Sequence, residues 1–223
     1  MRDLSRVELD RLKILTENSI QYTLIEPTET GLKKSIMDAT GTVRSYFVDE
    51  EIHDYDLQGQ GPANKVQILS QLVEEGGFVR SLASLYRPKT KKGDPRIWFR
   101  KLTSYADPND ILAITFYNDQ LFVINITSLP IEDLVQASDN PISELIHEIN
   151  NEENLVAREL LLKLEKLAEN GPVPSLVDAD TSVGRTLEKY LGIDINSSKK
   201  PDYKGIELKS FRRSEEHTSE LQS

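Results

Sequence analysis

The chain has 223 residues, of which 38% are hydrophobic and 29% charged, with a formal net charge of −10. That balance is ordinary for a globular protein and gives room for one large or two modest cores. No apolar run approaches the length of a bilayer span, no signal-peptide pattern opens the chain, and the absence of cysteine excludes disulfides and thiolate metal sites. These features suit a cytoplasmic protein with no membrane partner.

Ser5 and Glu8 have the spacing of a capping box, which predicts a helix running toward Asn18 with Leu9, Leu12 and Leu15 turned inward. From Gln21 to Leu57 the pattern shortens to β-branched and aromatic runs broken by Gly31 and Gly41, which predicts strands. Asp49, Glu50, Glu51, His53, Asp54 and Asp56 crowd one segment. They have no regular ligand spacing, so a solvated loop is the simpler reading than a metal site. Val66 to Val73 is apolar, but its period does not settle helix against strand.

Charge is unevenly distributed. Between Arg80 and Lys101 stand Arg80, Arg87, Lys89, Lys91, Lys92, Arg96, Arg100 and Lys101 against the single acid Asp94. Pro88, Gly93 and Pro95 prevent a continuous helix there, so the lysines belong to a loop that leads into a strand at Arg96 to Phe99. Tyr86, Trp98 and Phe99 interleave with the cations. Such a loop could set Arg87, Lys89, Lys91, Lys92 and Arg96 against DNA phosphates and base edges. The plainer alternative is a solvated basic loop with Trp98 in the core.

Ile111 to Phe116 and Gln120 to Ile126 flank Asn118 and Asp119, a pattern that predicts a hairpin. Helical patterns follow at Pro130 to Val135, Ser143 to Ile149 and Leu155 to Leu167, the last closed by Gly171. His147 has no partner histidine at metal spacing and reads as structural or surface. Gly171, Pro172 and Pro174 mark a domain boundary, giving a first domain over 1–171 and a second from Ser175. In the second, Thr181 or Asp180 caps a helix with Val183, Leu187 and Leu191 on one stripe and Gly192 at its end. Glu188 sits at the edge of that stripe.

The stretch most informative about chemistry is PDYKGIELKS, Pro201 to Ser210. If Gly205 to Ser210 is extended, Ile206 and Leu208 share one face and Glu207 and Lys209 the other. Asp202, across a turn containing Gly205, can bring a second carboxylate to the same cleft. Two carboxylates beside a lysine make a hard-oxygen site for a divalent ion with a cationic neighbour for water or phosphate. Taken singly, Asp202 is a turn residue after proline, Glu207 and Lys209 are a same-face ion pair, and Glu188 complements Lys199 or Lys200. The combination is what these separate accounts fail to predict.

This constellation resembles the PD-(D/E)xK nuclease signature, and with Glu188 fourteen positions before Asp202 it is most similar to restriction endonucleases of the MvaI/BcnI family and the MutH-type nickase. The resemblance covers Thr181 to Ser210 strongly and Tyr86 to Ile114 faintly, and implies a mixed α+β, or α/β, organisation. A DNA-reading N-terminal domain would be followed by the start of a restriction-endonuclease-like domain at 175–212. It further implies that Asp202, Glu207 and the Leu208 carbonyl bind Mg²⁺, with Lys209 and Glu188 completing the catalytic set. The implied activity is sequence-specific cleavage of double-stranded DNA by a monomer, leaving a 5′-phosphate and a 3′-hydroxyl, with a cognate DNA methyltransferase as functional partner. A DNA-binding module without chemistry and a strand nickase are the competing expectations. Arg213 to Ser223, RSEEHTSELQS, resembles an adapter translation, so the natural sequence is expected to depart near Arg212 and the piece ending there to be inactive alone.

Overall fold

Strands β1 (Thr23–Ile25), β2 (Met37–Asp38), β3 (Val66–Glu74), β4 (Gly77–Tyr86), β5 (Arg96–Phe99), β6 (Leu112–Tyr117) and β7 (Gln120–Asn125) form one sheet. Their order is β1-β6-β7-β3-β4-β5-β2. The β3–β7 pair is parallel and every other pair is antiparallel. The structure is a computed structural model that describes residues 1–175, 182–193 and 203–210, apart from the side chains of Lys91, Glu153 and Ser182. Its fold is mixed α+β, and it divides into two compact units, Met1–Asn150 and Asn151–Ser223.

In the first unit the side-chain alternation of the strands feeds two cores. On β6 and β7, Leu112, Ile114, Leu121 and Val123 join one cluster, and Ala113, Phe122 and Ile124 join the other. Helices α2 (Glu29–Lys34) and α3 (Gly41–Asp49) contribute Leu32, Val43 and Phe47 to the first cluster. Helices α1 (Arg6–Glu17), α4 (Ile131–Gln136) and the start of α5 (Pro141–Glu169) contribute Leu12, Leu15, Ile131, Ile142 and Leu145 to the second. Helices thus cover both faces of the sheet, the usual solution for strands that are apolar on each side.

The capping box forms as the sequence predicts: the Ser5 hydroxyl accepts from the Glu8 amide at 3.3 Å, and Glu8 Oε2 accepts from the Ser5 amide at 2.8 Å. Leu12 and Leu15 are buried, whereas Leu9 is exposed, a correction to the inward stripe. A second correction concerns Gln21 to Leu57, which holds two helices besides its two short strands. Thr28 and Thr40 cap those helices through their hydroxyls, so Gly31 lies inside α2 and Gly41 opens α3 instead of separating strands. Val66 to Val73 resolves as strand, and the predicted β6–β7 hairpin turns through Asn118 and Asp119, both at positive φ. The two helical patterns after Asn140 are one continuous helix, α5.

The parallel seam is tied by one hydroxyl. Tyr105 Oη shares its one proton between the carbonyls of Val73 (2.9 Å) and Val123 (2.8 Å) and accepts from the Asn125 amide at 3.0 Å. Burial pushes this phenol well above its usual range.

The division between the units falls inside α5, after Asn150, whereas the composition break at Gly171 marks the end of that helix. The described part of the second unit contains the rest of α5, helix α6 (Ser182–Leu191) and the 203–210 segment. A small cluster of Leu160, Leu191 and Tyr203 holds them together, with Val156, Leu164, Leu187, Ile193, Ile206 and Leu208 packed around it.

Candidate functional site

Helix α6 ends in a Schellman closure: Gly192, at φ +74°, donates to the Lys189 carbonyl at 3.1 Å, and Ile193 donates to the Glu188 carbonyl at 2.8 Å. The backbone of Glu188 is thereby clamped while its side chain stays half-buried. Buried Leu191 and half-buried Leu187 form the apolar stripe beside it, as the sequence predicts. The proposed caps Asp180 and Thr181 lie outside the described residues.

The 203–210 segment begins with a tight reversal. Tyr203 and Ile206 exchange both backbone hydrogen bonds, at 3.0 and 2.8 Å, across Lys204 and Gly205 at φ +43° and +94°. Positive φ at both central positions is the signature of a type I′ turn, which Gly205 permits. Beyond that single bridge, 207–210 has no assigned strand, a correction to the strand expected over Gly205 to Ser210. The alternation in exposure is nevertheless present. Ile206 and Leu208 are half-buried against the small cluster, while Glu207 and Lys209 are exposed.

Two contacts fix the turn to α5. Tyr203 Oη donates to Glu159 Oε1 at 2.7 Å, and Lys204 Nζ donates to Glu159 Oε2 at 2.6 Å. Lys163 Nζ lies 4.8 Å from the centroid of the Tyr203 ring. Lys204, then Tyr203, hold the Glu159 carboxyl down at about 2.

Glu188 and the end of the motif meet at Gly184. A β-carbon placed there would stand 3.4 Å from Ser210 Oγ and 3.9 Å from Glu188 Oε1. The glutamate of α6 and the residue after Lys209 therefore border the same point on the helix. Asp202 lies outside the described residues. The expected donor set of Asp202, Glu207 and the Leu208 carbonyl is all oxygen, which is the chemistry a hard divalent ion takes. Its described carboxylate, Glu207, is exposed, and among the described residues no group of three acids or histidines is placed to hold an ion.

In the first unit the basic residues take different roles. Arg87 is half-buried and spends Nε on the Gly93 carbonyl (2.8 Å) and Nη1 on those of Tyr55 (3.1 Å) and Gln58 (3.2 Å). Lys89 and Lys92 are exposed, and the Lys91 side chain lies outside the description. Arg96 is half-buried, with Nε enclosed and without a hydrogen-bond partner, beside a separate cavity also lined by Asp38 and Thr40. Of the acidic segment near His53, Asp49 closes α3, Glu50 and Glu51 form a turn and the rest is irregular, and burial lowers the His53 pKa.

Sequence reasoning passed over Glu159, Gly184 and Lys65. Glu159 precedes its turn partners by more than forty residues, and nothing local signals that pairing. Lys65 could have been noticed as the cation that leads directly into the apolar strand β3.

Residues 161–222 match the model of the MvaI/BcnI restriction endonuclease family, a match confined to the C-terminal part of the chain and running past Arg213. No curated protein and no solved structure matches the chain. The family match supports a DNA-cleaving hydrolase in general. No helix among the described residues is long and apolar enough to cross a membrane.

Proposed function

We propose, from the match at 161–222 that supports assigning the chain to the MvaI/BcnI restriction endonuclease family, that it is a type II, Mg²⁺-dependent, sequence-specific endonuclease of double-stranded DNA. The observation that supports this best is the approach of Glu188 and Ser210 to one point beside Gly184, with Glu207 and Lys209 exposed just before it. The family match and the helical glutamate thus converge on one patch of the second unit.

In this reading Asp202, Glu207 and the Leu208 carbonyl hold the ion. When bound, it polarises the scissile phosphate and lowers the pKa of a water molecule. Lys209 supplies a positive charge that orients the attacking water or stabilises the charge building on the phosphate. Glu188, anchored by the closure of α6, positions the water or the Lys209 ammonium. In-line attack leaves a 5′-phosphate and a 3′-hydroxyl. The N-terminal unit reads DNA through its basic loop, the enzyme acts as a monomer, and a cognate methyltransferase protects the same site elsewhere.

The test is supercoiled plasmid with Mg²⁺ and the longest natural form of the chain. Linear products with ends at discrete positions support the reading. A nicked circle as the end product would favour a nickase. Salt-dependent binding that survives Asp202→Ala, with no cleavage at all, would favour a DNA-binding module instead.

A further inference from the structure

The pairing of β4 with β5 sets Trp98 opposite Ser84 and Arg96 opposite Tyr86. Because side chains alternate, Ser84, Tyr86 and Trp98 share one face, and Leu85 and Ile97, both wholly buried, share the other. Ser84 is the small residue between two aromatic rings, and it leaves a cavity of about 560 Å³ above the strands. Pro62 and Pro88 also line it, together with the cations Lys65, Arg87 and Lys89. Among the described residues no carboxylate contributes to the lining.

Of the three cations Arg87 is fixed, while Lys65 and Lys89 are exposed at the rim. Lys65 Nζ stands 5.8 Å from the centroid of the Tyr86 ring, and Arg87 is fixed by its three bonds to backbone carbonyls. Gly61, at φ +95°, leaves room for the Lys89 stem: a β-carbon there would come within 2.7 Å of Lys89 Cε. A concavity with two half-buried aromatic rings, a rim of three positive charges and no negative one fits a flat π-system attached to an anion.

We propose that this cavity receives an unpaired nucleobase of a DNA strand, stacked on Trp98 or Tyr86, with the adjoining phosphates on Lys65 and Lys89. The inference deepens the DNA-reading role given above to the N-terminal unit. Base stacking on an aromatic side chain tolerates sequence and favours a base that is already unpaired, while the cations supply the salt-dependent share of binding. Arg87 serves as a fixed charge at the cavity wall, because its Nε and Nη1 are already committed to carbonyls.

Trp98 is the only tryptophan of the chain, so its emission reports on this cavity alone. A single-stranded octadeoxynucleotide, the duplex of the same sequence and a free deoxynucleoside monophosphate are titrated against the full chain. The expected result is saturable quenching by the single strand, with clearly weaker quenching by the duplex and by the mononucleotide. Tyr86→Ala and Lys65→Ala should each weaken the single-strand affinity by about tenfold or more. By anisotropy of a labelled strand, Trp98→Ala should weaken binding by about tenfold or more, and Trp98→Phe, which keeps a ring to stack on, should restore most of it. No quenching by any strand, or quenching unchanged in both Tyr86→Ala and Lys65→Ala, would overturn the proposal, provided circular dichroism shows both variants folded. Tightest quenching by the mononucleotide would assign the cavity to a free nucleotide and overturn it equally. Plasmid cleavage by the longest natural form of the chain, measured alongside, separates the two readings: cutting without Trp98 quenching removes this inference alone, and quenching without cutting by that longest form removes only the nuclease.

Discussion

Tyr203 donates its hydroxyl proton to Glu159 Oε1 at 2.7 Å, and its neighbour Lys204 reaches Oε2 of the same carboxylate at 2.6 Å. One glutamate on α5 thus grips both residues that follow Asp202. The grip fixes a turn whose strand-like continuation has a single bridge among the described residues.

That grip has a definite pH dependence. The Glu159 carboxyl lies at about 2, lowered first by Lys204 and then by Tyr203. A carboxyl whose folded value is depressed contributes fully above its ordinary value near 4.5, and loses that contribution as pH falls from there through about 2. NMR titration of Glu159 should show a midpoint near 2, raised more by Lys204→Ala than by Tyr203→Phe. A midpoint at the ordinary value in the unaltered protein would mean that the contacts do not persist in solution.

Glu8 offers a second acid-sensitive link, in the first unit. It is 2% exposed and accepts from Arg2, from the Thr127 hydroxyl at 2.6 Å and from the Ser5 amide. Arg2 above all holds its carboxyl well below the usual range. The stabilisation is present above pH ~4.5 and lost progressively as acid titrates the group. Glu8→Ala should cost about 1–2 kcal/mol in urea unfolding at neutral pH, since it removes the glutamate half of the capping box and the carboxylate partner of Arg2. A loss below about 0.5 kcal/mol would show that the cluster is dispensable.

Tyr105 should matter through its hydroxyl alone. Tyr105→Phe keeps the ring and leaves the Val73 and Val123 carbonyls and the Asn125 amide without this partner. The expected cost is about 1–3 kcal/mol, read from the shift in urea midpoint at constant slope.

The parts of the fold that could be read in advance are those fixed by neighbours in sequence. The Ser5–Glu8 box, the Asn118–Asp119 turn and the close of α6 at Gly192 each depend on a few adjacent residues. The stretch from Gln21 to Leu57 misled because the Thr28 and Thr40 caps outweigh the glycines that resemble strand breaks. The parallel β3–β7 pairing joins segments some fifty residues apart, and no local period encodes it. At the site, the alternation of Ile206 and Leu208 against Glu207 and Lys209 was legible, because extended backbone obeys a period of two. The clamp by Glu159 and the approach to Gly184 were not, since each depends on how α5, α6 and the turn pack.

Gly184 is the most direct structural probe of that approach. Gly184→Ala should be accepted, because among the described residues its β-carbon meets nothing nearer than Ser210 Oγ at 3.4 Å, and it should stabilise α6 by up to about 1 kcal/mol. Gly184→Leu should push Glu188 and Ser210 apart, with cleavage falling at least about tenfold while helical content is retained. Equal cleavage by both variants would separate Glu188 from the reaction.

The measurement closest to the central claim is plasmid linearisation by the longest natural form of the chain, in paired proteins that differ only at position 209. The account predicts discrete linear products in Mg²⁺ with the natural lysine, and loss of cutting by about a hundredfold or more in Lys209→Ala, with the fold and DNA binding intact. Cleavage undiminished in Lys209→Ala would contradict it.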